Sequence, residues 1–165
     1  MSESAAVVVQ ESNLVVATYG PIVACAVDGL TLVPQMDTLA TALKAAARAN
    51  PEGIILVFVV RQTSLLPTTE VRARFAATLA AMQSQVKLLA AVIEGAGFGA
   101  SAKRSVFTMV INHMIGKITL KVLADCSDAV AWVAAEGTRR GLRLAPETAI
   151  AKFMANLPAT VPTGA

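Results

Sequence analysis

Charge is scarce in this chain, and that scarcity is the first constraint on what it does. Only 14 basic and 11 acidic side chains occur in 165 residues, 15% of the total, against about a quarter in an average soluble domain. With so few charges, Ala, Val, Leu and Met must reach the surface somewhere, so self-association or an apolar contact with a partner is expected. The net charge of +3 is small and the basic residues are scattered, which gives no support to a nucleic-acid interface. The one basic cluster, Arg139-Arg140-Gly141-Leu142-Arg143, has no neighbouring aromatics and reads as a solvated turn. Aromatic residues make up only 4% of the chain, so the core is expected to be aliphatic.

The residues of catalysis are equally few. His113 is the only histidine and has no Cys, Asp or Glu at ligand spacing. Cys25 and Cys126 lack CxxC spacing and read as buried, reduced thiols in a reducing cytosol. No Ser-His-Asp set, Cys-His set or carboxylate pair can be assembled. The expectation is therefore a non-enzymatic protein with no catalytic residue, metal or cofactor. The opening MSESAAVVVQES carries Glu3 and no basic region, so it does not read as a signal peptide. Leu14 to Pro34 is long enough to span a bilayer but is broken by Gly20-Pro21 and Asp28-Gly29, which favours strands and argues against membrane insertion. A cytoplasmic location is expected.

What the chain has in abundance is aliphatic runs, with a mean hydropathy of +0.62. The most telling is GIILVFVV, Gly53 to Val60, which has no polar residue on either alternating face. Both faces must be covered, as in a central strand with helices on both sides. Before it, Ala5 to Gln10 is a short candidate strand, and Leu14 to Tyr19 with Ile22 to Val27 reads as a hairpin about Gly20-Pro21. Leu32 to Ala49 places Leu32, Met36, Leu39, Leu43 and Ala46 on one helical face and stops at Asn50-Pro51. A second helix is expected over Thr68 to Gln83, capped by Thr68, with Val71, Phe75, Thr78, Leu79 and Met82 inward. Val86 to Ile93 is a further strand. A third helix from Ala100 to Ile115, closed by Gly116, carries Val106, Met109, Val110, His113 and Met114 near one face. Ile118 to Leu123 is the last strand. A fourth helix, capped by Ser127, runs to Ala135 with Val130, Trp132 and Val133 inward, and Gly137 is its closing glycine. A short helix over Pro146 to Asn156 and a frayed Pro/Thr/Gly tail complete a single α/β domain with a mixed β-sheet and helices on both faces.

The loop Glu94-Gly95-Ala96-Gly97-Phe98-Gly99-Ala100 meets the loose form of a dinucleotide fingerprint. The full fingerprint belongs to a first βα unit and needs an acid about twenty residues on, where Lys117 and Lys121 stand before Asp125. The glycines are better explained by close packing of the third helix on the sheet. The chemistry left open there is an anion held by backbone amides at Gly97 and Gly99 with Lys103 or Arg104.

VVRQTSLLPTTEVR after the central strand and VIEGAGFGASAKRSV across the next strand and helix resemble the STAS-like (STAS/SEC14) bacterial proteins, relatives of the anti-sigma-factor antagonists. The resemblance spans about residues 13 to 136, with 137 to 165 as an extension. It implies a STAS-like, non-catalytic regulatory or scaffolding module that works through contact with a protein partner. Regulatory members present an Asp-Ser-Ser/Thr-Gly loop to a kinase after the central strand. The aspartate and glycine are absent from Arg61 to Thr69 here, so the resemblance leaves Ser64 and Thr68 as the hydroxyls that match by position. A second reading from the residues is a carrier or sensor of a small apolar ligand, with Met36, Met82, Met109 and Met114 lining an adaptable pocket. A nucleotide- or anion-binding protein at the Gly95 to Gly99 loop is the third.

Overall fold

The computed structural model describes residues 4–112 and 118–160. It is an α/β fold, a six-stranded mixed sheet flanked by five helices. The order along the chain is β1 (Ala6–Glu11), β2 (Leu14–Tyr19), β3 (Ile22–Val27), α1 (Val33–Ala49), β4 (Ile54–Val60), α2 (Thr69–Ala81), β5 (Val86–Ile93), α3 (Gly97–Asn112), β6 (Thr119–Leu123), α4 (Cys126–Arg139) and α5 (Glu147–Ala155). The strands lie side by side in chain order, β1-β2-β3-β4-β5-β6. The first two pairings are antiparallel and the rest are parallel.

That order decides where the helices go. A strand-helix-strand crossover between parallel strands is right-handed almost without exception. Three such crossovers stepping the same way along the sheet put α1, α2 and α3 on one face. Their inward residues Met36, Leu39, Leu43, Val71, Phe75 and Leu79 meet Val23, Cys25, Leu56, Phe58 and Leu89 there. The second face is left to the chain beyond β6. Val130 and Val133 of α4 and Ile150, Phe153 and Met154 of α5 close it over Ala24, Ala26, Ile55, Val57 and Ala90. Tyr19 stacks on Phe153 with ring centres 5.4 Å apart, fixing α5 against the hairpin. The apolar hairpin is thus covered on both faces within one chain, and the C-terminal helix is part of the core.

β4 lies between β3 and β5, and every one of its residues is buried. β1 is the exposed edge, with Val7 and Val8 about half accessible and a register shift between Val7 and Val9. Such an irregularity twists an edge away from further pairing.

Several boundaries differ from expectation for local reasons. α4 starts two residues earlier than expected, because Asp125 rather than Ser127 caps it, its carboxylate accepting the Asp128 amide at 2.8 Å. α4 also runs past Gly137, which is buried inside its last turn. The closing glycine is Gly141, at φ 77°. Its amide donates to Thr138 O at 3.0 Å and the Leu142 amide to Gly137 O at 3.0 Å, the two bonds that close a helix through a left-handed residue. Gly137 serves packing instead: a Cβ there would lie 2.5 Å from Leu144 Cδ1 and 3.2 Å from Ile55 Cδ1. α3 begins at Gly97, three residues before the expected start. Its Met109 is 56% exposed and Phe107 turns inward in its place. The side chain of Val110, together with His113, Met114, Ile115 and Gly116, falls outside the described residues.

Gly137 gives a direct test of this packing. Leucine has the better intrinsic helix propensity, so at an exposed site Gly137→Leu would stabilise α4 by up to about 1 kcal/mol. Here the side chain has to push α4 off the sheet, and overpacking of this kind costs about 1–3 kcal/mol. Chemical denaturation of Gly137→Leu should show a lowered midpoint. A raised midpoint would contradict the close approach of α4 to Ile55.

Candidate functional site

The parallel strands β3, β4 and β5 end in register at Val27, Val60 and Ile93. The next residue of each is charged, so Asp28, Arg61 and Glu94 form a row of alternating sign along the carboxyl end of the sheet. Arg61 Nη1 contacts Glu94 Oε1 at 2.8 Å. Asp28 joins three segments: its carboxylate accepts from the Gly29 amide at 2.7 Å, from the Thr63 hydroxyl of the β4–α2 loop and from the Thr160 hydroxyl at 3.3 Å. Burial raises the Asp28 pKa, but the bonds from Thr63, Gly29 and Thr160 and the Arg61 charge outweigh it and hold the carboxyl below its ordinary value. The sequence marks Asp28 only as a strand terminator. Its partners lie 35 and 132 residues away, so no local signal points to this role.

Behind the row, on the α1–α3 face, is an apolar cleft. Phe58, Phe75 and Phe107 form its inner wall, with ring centres 5.0 to 5.8 Å apart. Val27, Met36, Val60 and Ile93 continue it, and the β4–α2 loop with Leu65 and Leu66 forms the outer lip. That loop is tied down by the Leu65 amide on Gly29 O at 2.9 Å and by the Ser64 hydroxyl on Val27 O at 3.0 Å. The cavity volume is about 60 Å³. Of the four methionines expected to line a pocket, Met36 does so and Met114 lies outside the described residues. Met82 is in the core and Met109 is on the outer surface.

Each residue singled out in the sequence has a definite place. Ser64 is buried, with its hydroxyl proton given to Val27 O. Thr68 is the exposed N-cap of α2 and accepts the Val71 amide at 3.3 Å. Lys103 Nζ reaches Gln62 O at 3.0 Å, and Arg104 Nη2 donates to Ile93 O and Gly95 O at 3.1 and 3.0 Å. Both cations of the suggested anion site are therefore already bonded to carbonyl oxygens at the strand ends. The glycine loop is open: a Cβ at Gly97 or Gly99 would meet nothing within 4 Å. Close packing does not explain these two glycines. Gly97, at φ 84°, is required by its backbone conformation. The loop instead presents Phe98, which is 90% exposed.

Both cysteines are free. Burial pushes the Cys25 thiol far up, and burial with the nearby Glu94 charge raises Cys126, so neither is poised as a nucleophile. Arg139 and Arg140 are paired with Glu136. Among the described residues, no three His, Cys, Asp or Glu side chains are placed to hold a metal, and no helix is long and apolar enough to cross a membrane.

The tie at Asp28 has a pH signature. A carboxyl whose folded pKa lies below its unfolded value of about 3.9 contributes stability above that value and loses it as the pH falls through the folded pKa. Asp28→Asn should therefore be less stable than the parent by about 1 kcal/mol at pH 6–7, and the gap should close below about pH 3.9. A gap that is constant from pH 7 to pH 3 would show that the carboxylate charge is not what holds the three segments.

No protein-family model matches the chain, and no curated protein matches it.

Proposed function

We propose that the protein is a non-enzymatic binding module that meets a protein partner at the carboxyl end of β3, β4 and β5. One observation carries this reading. Of the eight large hydrophobic side chains exposed among the described residues, five (Leu30, Leu32, Leu65, Leu66 and Phe98) stand on the three segments that leave those strand ends. Apolar residues scattered singly need no explanation, whereas a concentration at one end of the molecule marks a contact surface. The segments are also held to one another through Asp28, Gly29 O and Lys103, so little ordering is required on binding. The STAS-like resemblance of the residues on these same segments supports a regulatory or scaffolding role, with Thr68, exposed at the start of α2, as the hydroxyl open to modification.

The cleft favours a second reading, a carrier or sensor of a small apolar ligand. Its three phenylalanines and aliphatic walls sit at the carboxyl ends of parallel strands, where open α/β sheets bind their ligands.

The contact surface is tested by placing a photo-reactive residue at Leu66, and in a control at Ala151 on the outside of α5, in native cells. Discrete adducts are expected from position 66 and not from 151, and Phe98→Asp should remove them while shifting stability by no more than about 0.5 kcal/mol. Adducts formed equally from both positions, or indifferent to Phe98→Asp, would contradict the reading.

A further inference from the structure

Among the described residues, the only charged side chains lining the cleft are two cations, Arg72 and Lys103, and no carboxylate joins them. Neither takes part in the ion pairs found among those residues, which are Arg61–Glu94, Arg74–Asp37 and those of Arg139 and Arg140 with Glu136. Both retain donors. Lys103 gives one of its three N–H bonds to Gln62 O and Arg72 gives one of five to Thr69 Oγ1. The rest of the lining is apolar apart from Thr31 and Ser64, and the Ser64 proton is already bonded to Val27 O. An uncharged hydrocarbon would leave the cations unused, and a cationic ligand would be repelled.

Resting on the second reading above, we propose that the cleft takes a small monocarboxylic acid, its apolar body against Phe58, Phe75 and Phe107 and its carboxylate at the mouth between Lys103 and Arg72. Size sets the body. A cavity of about 60 Å³ is several times the roughly 10–15 Å³ that a single water needs, so it has room for a body of several heavy atoms. One aromatic ring, or an acyl chain of about the same number of carbons, is a body of that order. Charge-assisted bonds to a carboxylate are stronger than bonds to a neutral hydroxyl, so the head group rather than the body should set the order of affinities.

The test is a titration of the full chain with benzoate and hexanoate beside benzyl alcohol and hexan-1-ol, followed by ligand-observed NMR. Each acid is expected to bind at least tenfold more tightly than its alcohol, and to weaken as salt is raised. In Lys103→Gln combined with Arg72→Gln, acid affinity should fall to that of the alcohol, while alcohol affinity stays unchanged. Equal binding of acid and alcohol, or acid binding indifferent to the double substitution, would overturn the head-group assignment and leave the ligand reading of the cleft standing. Binding of neither acids nor alcohols would overturn both.

Discussion

Everything in this structure depends on burying β4 on both faces. Seven consecutive residues, Ile54 to Val60, have no polar member, so neither side of the sheet can be left to water. The parallel order β3-β4-β5-β6 lets the three right-handed crossovers cover only one of those sides. The second side must be closed by chain lying beyond β6. This is why α4 and α5 are structural necessities, and why the second face is rich in alanine. Ala17, Ala24, Ala26 and Ala90 give α4 and α5 room to approach, and Gly137 lacks the side chain that would meet Leu144 and Ile55.

The same topology gives the molecule its two unlike ends. Parallel strands in register finish together, so their carboxyl ends deliver three charges, three connecting segments and a gap between sheet and helices to one place. Asp28, Arg61 and Glu94 occupy the crest, and the bonds between them and their neighbours hold the segments in position. The apolar residues that a charge-poor surface has to expose are concentrated there, on the loops, where core packing does not dictate the side chain. The row of charges stands beside the apolar cleft and gives that end its polarity.

Much of the fold is legible in the sequence because its signals are local. The hairpin strands Leu14–Tyr19 and Ile22–Val27 and the strand Val86–Ile93 fall where their β-rich runs and turn residues place them. The 3.6-residue spacing of Met36, Leu39, Leu43 and Ala46 locates α1, whereas Leu32, expected on the same face, is its exposed N-cap. Glycine misleads twice, for one reason: its meaning depends on what stands across from it. Gly137 has the sequence setting of a helix stop, yet it faces Ile55 and Leu144, 82 residues before it and seven after it. Gly97 and Gly99 have the setting of a close helix-to-sheet approach, yet they face open space. The site is the least legible part. Asp28 acquires its partners, and the cleft its three phenylalanines, only through contacts between distant segments, which neither periodicity nor motif spacing reports.

If the carboxyl end of the parallel strands is the binding end, methyl-resolved NMR of the full chain during titration with benzoate will show it most directly. Shifts are expected in the methyl groups of Val27, Val60, Leu65, Leu66, Val71 and Ile93, which line the cleft, with those of Val130, Val133 and Ile150 on the opposite face unmoved. Shifts confined to the α4–α5 face would contradict that placement.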